Sequence, residues 1–183
     1  MTTNNWAAFE KAEPKFAEAV RARFAQYPHH VLATLRKDGS PRLAGLNVDI
    51  RGGELWLGMM AGSMKARDLQ HDPRFALHTN PGEGETMPDG DVRISGRAVE
   101  LVDPPELHRY AEETESPHPF HLFHADLTEV VHVGVDGDDL VIRTWTPTGG
   151  LRTLRRGNDD EPPREDPPES PAPPTDPADP PTA

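Results

Sequence analysis

Residues 29–60 read HHVLATLRKDGSPRLAGLNVDIRGGELWLGMM, and this stretch decides the fold. It contains three runs rich in apolar and β-branched residues, which predict strands over 30–36, 41–50 and 54–60. Between them lie the segment 37–40 and the pair Gly52-Gly53, and the Asp-Gly and Gly-Gly dipeptides found there are typical of tight hairpin turns. Three strands joined by two short turns form a meander, so we expect an antiparallel sheet.

Three short helices are predicted around this meander. Residues 15–27 place Phe16, Val20, Phe24 and Tyr27 on one apolar stripe, as in an amphipathic helix. A second helix is expected over 63–71, where Asp72 and Pro73 stop it. A third begins after Asp103 with two prolines and continues to about Glu113.

Further strands are predicted over 74–79 and 91–102, together with a hairpin over 128–145. Gly96 lies inside the second of these and indicates a bulge or a barrel corner. The segments 80–90 and 116–126 are expected to be irregular, the second containing at most a single turn. Six or seven antiparallel strands, short helices and no alternation of strand and helix favour a mainly β fold closed into a small barrel.

The last 27 residues, GNDDEPPREDPPESPAPPTDPADPPTA, differ from the rest of the chain. Ten are proline, eight are acidic and one is arginine, and none is aromatic or a large aliphatic residue. Such a segment cannot bury apolar surface, so residues 157–183 are expected to form a disordered acidic tail behind a folded domain of residues 1–156. The tail carries −7 of the formal net charge of −12, which leaves the folded part only mildly acidic.

Composition also excludes several classes of function. The chain has no cysteine, which excludes disulfides, a thiolate nucleophile and a cysteine-ligated zinc site. The N-terminus lacks the apolar core of a signal peptide and no apolar run reaches 18 residues, so we expect a cytoplasmic protein without a membrane span. No basic stripe is present, and nucleic acid is therefore not an expected partner.

The segment GSMKARDLQHDPRFALH, residues 62–78, places Lys65 and Arg67 in the first turn of a helix. Cations are unfavourable there because a helix N-terminus already carries positive charge. One interpretation is a plain N-cap by Ser63 with two solvated bases beside it. The other is an anion site, in which the serine hydroxyl, the first N–H groups and the two bases hold a phosphate.

Three stretches resemble the pyridoxamine 5′-phosphate oxidase-like flavoproteins, the FMN-binding split-barrel superfamily that includes deazaflavin-dependent reductases. They are VLATLRKDGSPRLAGL (31–46), ELWLG (54–58) and GSMKARDLQHDPRFAL (62–77), and weaker similarity continues through VRISGRAVEL (92–101) and WTPTGGLRTLRR (145–156). The resemblance implies a six-stranded antiparallel Greek-key split barrel. It also implies a homodimer with the cofactor in a cleft between the subunits.

The same resemblance assigns site residues. Ser63 and Lys65 match the phosphate-binding pair, with Arg67 beside them, and the ring system is expected over strand 42–46, where small Ala44 and Gly45 allow close approach. The full set implied to bind the cofactor is Thr34, Leu35, Arg42, Ala44, Ser63, Lys65, Arg67, Trp145, Arg152, Arg155 and Arg156.

Two departures argue against true pyridoxamine phosphate oxidase activity. The oxidases proper carry an arginine and a lysine as further phosphate ligands on the second strand, where this chain has Ala44 and Asp49. They also carry a substrate-binding Arg-x-His near the C-terminus, where this chain has Arg152-Thr153-Leu154. The resemblance implies FMN as the cofactor. Because the departures remove phosphate ligands, deazaflavin coenzyme F-420 is the alternative, and haem is a third candidate.

The leading hypothesis is an oxidoreductase that transfers hydride between the bound cofactor and a small organic substrate. Because the cofactor performs that chemistry, the sequence need not show a catalytic dyad or nucleophile. The alternative is a non-catalytic protein that holds a flavin or a tetrapyrrole. His118, His121, His124 and His132 could form a metal or haem site, but no carboxylate motif or cysteine accompanies them, so no metal is expected. The favoured interpretation is a loop at the dimer cleft that carries surface histidines, with a haem or other tetrapyrrole as the alternative.

Overall fold

The computed structural model describes residues 4–80, 90–116 and 118–167. Fourteen helices and strands follow one another along these residues: α1 (Trp6–Ala12), α2 (Pro14–Ala25), β1 (His30–Leu35), β2 (Pro41–Leu46), β3 (Val48–Arg51), β4 (Glu54–Met60), α3 (Met64–His71), β5 (Arg74–His78), β6 (Asp91–Glu100), α4 (Pro104–Thr114), β7 (Phe120–Asp136), β8 (Asp139–Thr146), β9 (Gly150–Arg156) and β10 (Arg164–Glu165).

The ten strands form one sheet in which every pairing is antiparallel. The main path runs β10-β9-β8-β7-β6-β5-β1-β2, while β4 joins it through β7 and β3 joins through β4. The long strand β7 pairs with β4 over Phe120–His124 and with β8 over Val130–Asp136, so it belongs to both parts of the sheet. The mainly β fold class with short helices is confirmed.

Gly96 lies at a bulge, as its place inside a long strand predicts. The register between β6 and β7 shifts between Ser95 and Gly96. A Cβ at this position would overlap the carbonyl oxygen of Asp126 on β7, so a side chain does not fit without movement of the backbone. The bulge therefore requires glycine through the close approach of two strands.

The predicted strand 41–50 is two strands. It breaks at Asn47, after which β3 pairs with β4 while β2 pairs with β1. β2 is thus the last strand of the main path, with one partner on one side. The alternation of apolar residues continues across the break, which is why the sequence alone does not show it.

The expectation that residues 116–126 are irregular is wrong from Phe120 onward, because β7 begins there. Leu122, Phe123 and Ala125 are buried on this strand. His121 directly precedes them, His124 lies between Phe123 and Ala125, and both histidines are half-buried. The sequence analysis missed this strand because the prolines before it and the histidines within it interrupt the alternation of apolar residues. The expected loop over 80–90 lies outside the described residues except at its two ends.

The predicted boundary of the tail also shifts. Residues 157–167 are described, and Arg164–Glu165 forms a strand that pairs with Leu154 and Arg155 of β9. Acidic residues of this segment meet arginines of β9, since Glu165 pairs with Arg152 and Asp166 with Arg155. None of residues 157–167 is buried, and composition could not show this charge pairing. Residues 168–183 lie outside the described part of the chain.

The core lies between the sheet and the two N-terminal helices. Trp6 and Phe9 of α1 are fully buried and meet edge to face, with ring centroids 5.4 Å apart. Phe16, Val20 and Phe24 of the predicted stripe are buried as well, while α2 ends at Ala25, before Tyr27. Burial of each such side chain contributes about 1.5–3 kcal/mol. No helix among the described residues is long and apolar enough to cross a membrane.

Candidate functional site

The start of α3 is formed by a turn that only a few residues can adopt. β4 ends at Met60, and Gly62 follows with a φ of +70°, the left-handed region that favours glycine. Ser63 is the N-cap residue, with extended backbone, yet its side chain makes no capping hydrogen bond. Its Oγ atom is buried and has no hydrogen-bond partner among the described residues. The serine therefore does not act as a plain N-cap, and its hydroxyl has no partner among the described residues.

Lys65 lies next to this serine and carries the positive charge of the site. Its Nζ atom donates a 2.6 Å hydrogen bond to the carbonyl oxygen of Gly45 on β2. Burial lowers the pKa of the Lys65 ammonium from its ordinary value. No carboxylate in the described part of the chain forms an ion pair with it. A half-buried lysine held only by a neutral carbonyl can form a charge-assisted bond to a phosphate.

A buried carboxylate that the sequence reasoning missed fastens α3 to β1 and β2. Asp68 is 5% exposed, accepts a 2.8 Å hydrogen bond from Thr34 Oγ1, and pairs with Arg42 Nε at 2.6 Å. Thr34 and Arg42 face each other in the β1–β2 register. The structure thus brings these two predicted residues to the site, but it engages both side chains in positioning the helix. The sequence could have indicated this role, because Asp68 is an acidic residue on the apolar side of α3, next to Leu69.

The other predicted residues near α3 lie on its first turn and along the exposed edge of β1 and β2. Arg67 is exposed in the first turn, and Leu35 and Ala44 are half-buried on β1 and β2. Gly45 has no atom within 4 Å of where a Cβ would lie, and Leu43 is 72% exposed. This edge strand offers backbone and small side chains to a flat ligand lying along it.

The predicted residues of β8 and β9 lie elsewhere within one chain. Trp145 is 3% exposed and packs on Phe9 with ring centroids 4.7 Å apart, so it is a core residue and offers no face to a ligand. Arg152 binds Glu165 through two hydrogen bonds. Arg155 pairs with Asp136 and Asp166, while Arg156 is exposed. β7, β6 and β5 separate these strands from β1 and β2 in the sheet.

His121 supports the turn before Ser63 from the neighbouring strand β7. The backbone N–H of Gly62 donates to His121 Nε2 at 3.3 Å, and His121 Nδ1 lies 2.7 Å from Glu100 Oε1. Both contacts are satisfied when the imidazole is neutral with its proton on Nδ1. In residues 4–80, 90–116 and 118–167, no three histidine or acidic side chains are grouped as metal ligands.

A cavity of about 510 Å³ lies beside this turn, lined by Met60 and Ala61 and by residues of β3, α4 and the segment before β7. Its walls are largely apolar, and no lysine or arginine lines it. Tyr110 donates a 3.4 Å hydrogen bond to Asp49 Oδ2 across it. Burial, with the Asp49 charge as the second cause, raises the pKa of the Tyr110 phenol to about 12, so the phenol keeps its proton at neutral pH.

Comparison with known proteins agrees with this geometry. A family model described as pyridoxamine 5′-phosphate oxidase matches residues 16–134. No curated protein sequence shows significant similarity to the chain.

Several solved structures share the fold. ChuZ from Campylobacter jejuni aligns with a TM-score of 0.57 at 12% identity, over 75% of this chain and 61% of ChuZ. PhzG from Burkholderia lata aligns with a TM-score of 0.55 at 16% identity, over 82% of this chain and 92% of PhzG. A putative pyridoxamine 5′-phosphate oxidase from Listeria innocua aligns with a TM-score of 0.51 at 13% identity, over 62% of this chain and 94% of the Listeria protein. These matches confirm the split-barrel fold.

The family model spans more than half of the chain, and the antiparallel sheet and the structural matches agree with it. The chain therefore belongs to the pyridoxamine 5′-phosphate oxidase family.

Proposed function

We propose that this chain binds FMN and acts as an oxidoreductase, with deazaflavin coenzyme F-420 as the alternative cofactor. The observation that carries the proposal is the buried Ser63 Oγ without a hydrogen-bond partner among the described residues, next to a half-buried Lys65. A buried polar atom without a partner costs about 1–3 kcal/mol, which a bound phosphate oxygen would recover. Residues present at the start of α3 thus fit the phosphate end of either cofactor.

Three groups of the chain would hold that phosphate. Ser63 donates its hydroxyl proton, Lys65 Nζ supplies a charge-assisted bond, and the first N–H groups of α3 have no intrahelical partner. Arg67 lies in the same turn and adds positive charge. An anion here would also offset the unfavourable placement of two bases at a helix N-terminus.

The ring system would lie along the exposed edge of β2. Gly45 leaves open space beside the strand, and its carbonyl already holds Lys65, so the strand and the phosphate site form one surface. When bound, the ring supplies hydride transfer, and the chain supplies orientation and exclusion of water.

The adjacent cavity of about 510 Å³ would take the substrate. Among the described residues, no lysine or arginine lines it, and the carboxylate that does, Asp49, pairs with Arg51 at 2.6 Å. A phosphorylated substrate would find no cationic partner there. The proposed substrate is therefore a small, largely apolar organic molecule without a phosphate, and true pyridoxamine phosphate oxidase activity is not proposed.

A homodimer would complete the site. Leu43, Met60 and Met64 are 72%, 82% and 51% exposed around the edge of β2 and the start of α3. Apolar side chains this exposed in one neighbourhood are typical of a surface covered by another protein. Arg152, Arg155 and Arg156 are remote from Ser63 within one chain, so their proposed role at the cofactor requires β9 of a second copy.

An absorption spectrum of freshly purified protein tests the proposal and identifies the cofactor. We expect the visible bands of an oxidised flavin, whereas the single band of a deazaflavin would support the alternative cofactor. A Soret band would indicate haem and contradict the oxidoreductase proposal. Bleaching of the flavin bands by NADH or NADPH would support an enzyme, and their persistence with both donors would favour a protein that only holds the cofactor.

A further inference from the structure

A second and larger cavity lies on another part of the molecule and contains none of the residues assigned to the cofactor. Its volume is about 740 Å³, within the range of small-molecule sites, and β3, β4, β7 and α4 surround it. It shares Tyr110 with the smaller cavity, and its other aromatic groups are Trp56 and His124.

The aromatic side chains of this cavity are fixed by contacts. Trp56 Nε1 donates to the carbonyl oxygen of Arg51 at 3.3 Å, which orients the indole. The Trp56 ring lies 5.5 Å from Tyr110 and 6.0 Å from His124, measured between centroids. Trp56 is partly exposed, whereas Trp6 and Trp145 are buried in the core. The cavity therefore offers a preorganised aromatic wall.

The charged groups of the cavity are not equally satisfied. Arg51 pairs with Asp49 at 2.6 Å and with Glu113 at 3.5 Å, and Arg109 lies 3.9 Å from Glu106. Both arginines thus have a carboxylate nearby, which reduces the positive charge that an anionic ligand would meet, although Arg51 Nε makes no hydrogen bond among the described residues.

Glu54 is the acidic group of the cavity that no arginine neutralises among the described residues. Its Oε1 accepts a 2.7 Å hydrogen bond from Asn5, but its Oε2 is buried without a hydrogen-bond partner in the described part of the chain. His124 Nδ1 lies 3.8 Å from Oε2, beyond hydrogen-bond distance. The Glu54 side chain as a whole is 23% exposed although Oε2 itself is covered, so a ligand would bond to this oxygen after a rotation of the carboxylate.

We propose that this cavity is a second ligand site for a planar aromatic molecule that carries an amine or amidine. The cationic group would bond to Glu54, and the ring would contact Trp56 and Tyr110, whose faces also attract cations. The size of the cavity, its aromatic wall and the Glu54 carboxylate without an arginine partner all favour a planar aromatic cation as the ligand. The site does not depend on the identity of the cofactor.

Benzamidinium is a suitable probe, with benzoate and neutral benzamide as matched ligands of nearly the same shape. We expect benzamidinium to bind with a Kd of about 1 mM or lower, measured by calorimetry, and to change the fluorescence of the partly exposed Trp56. Benzoate is expected to bind at least about tenfold more weakly, because its carboxylate would be repelled by Glu54 where benzamidinium is attracted.

Two variants test the role of the carboxylate. Glu54→Gln keeps an acceptor for Asn5 but removes the charge, and should weaken benzamidinium binding about tenfold or more. Glu106 lies in the same cavity beside Arg109, and Glu106→Gln should change the Kd for benzamidinium by less than about twofold. Circular dichroism and melting of both variants identify any loss of folding.

The result that would overturn the proposal is equal binding of benzamidinium and benzoate, no binding of benzamidinium, or an unchanged Kd in a folded Glu54→Gln protein. The Lys65→Ala protein separates the two sites. This variant should keep its affinity for benzamidinium, and loss of benzamidinium binding there would overturn the proposal by placing the ligand at the start of α3.

Discussion

At the scale of single residues, the central feature is Ser63 beside Lys65. The sequence correctly indicated a helix start with two bases and a hydroxyl, because turn residues and the apolar period define that helix locally. It could not show that the serine makes no cap or that Asp68 engages Arg42. Those contacts depend on how α3 lies against β1 and β2. Likewise, Trp145 matched a family position in sequence, but Phe9 of a distant helix buries it.

Affinity for FMN should depend on the protonation of Lys65. Burial lowers the pKa of its ammonium. As pH rises, Lys65 therefore loses its proton and its charge before the pH reaches the ordinary lysine pKa of about 10.4. The charged form binds phosphate better, and the Kd for FMN should therefore rise as pH increases through the lowered pKa. Fluorescence titrations from pH 7 upward measure this, with circular dichroism to confirm that the protein stays folded.

Lys65→Arg is the control for this pH dependence. A guanidinium remains charged over the whole range, so the Kd of this variant should stay nearly constant with pH. A wild-type Kd that shows the same constancy up to about pH 10 would rule out a role for the lysine charge.

Asp68 should contribute strongly to stability. Asp68→Ala leaves Thr34 and the partly buried Arg42 without their shared acceptor, and we expect a loss of about 2–3 kcal/mol in the free energy of unfolding. Glu10→Ala removes an exposed ion pair with Arg21 and should cost less than about 1 kcal/mol. Urea denaturation measures both, and equal losses would contradict the positioning role of Asp68.

At the scale of elements, strands were predictable where apolar residues alternate between turn signals. β1, β4, β5 and the β7–β8 hairpin follow that pattern. The first part of β7 was missed because its histidines occupy the half-buried positions, where they meet Glu100 and Glu54. Short β10 was missed because its sequence has no apolar residue. It pairs with β9 at the edge of the sheet, beside arginines of that strand.

The bulge at Gly96 should tolerate no side chain. Gly96→Ala places a Cβ against the carbonyl of Asp126 and the Phe75 ring, and should cost at least about 2 kcal/mol. Gly58→Ala, in a strand position with no atom within 4 Å of the new Cβ, should change stability by less than about 0.5 kcal/mol. Thermal and urea unfolding compare the two, and a stable Gly96→Ala protein would mean that the β6–β7 register is not as described.

The last strand should add only a little stability. Ending the chain after Pro167 should leave Tm unchanged, because β10 and its ion pairs remain. Ending it after Arg156 removes β10 and its pairs with Arg152 and Arg155, and should lower Tm by about 1–3 °C. Calorimetry distinguishes the two truncations, and a much larger fall in the shorter chain would show that residues 157–167 belong to the core fold.

At the scale of the whole molecule, the chain combines an antiparallel split-barrel fold with an exposed apolar edge. Fold class and family could be predicted because strand periodicity and the α3 motif are local properties of the sequence. The complete cofactor site could not be predicted from the residues of one chain, since β9 lies away from α3 within it. A second copy is the proposed solution, as the exposed Leu43, Met60 and Met64 suggest.

The most direct test compares FMN with riboflavin, which has the same ring system and no phosphate, on wild-type protein and on Lys65→Ala. If the start of α3 binds the phosphate, FMN should bind wild type about ten- to a hundredfold more tightly than riboflavin. Lys65→Ala should remove most of that difference while leaving riboflavin affinity unchanged. Equal affinities of FMN and riboflavin for wild type, or a preference that survives in Lys65→Ala, would contradict the account.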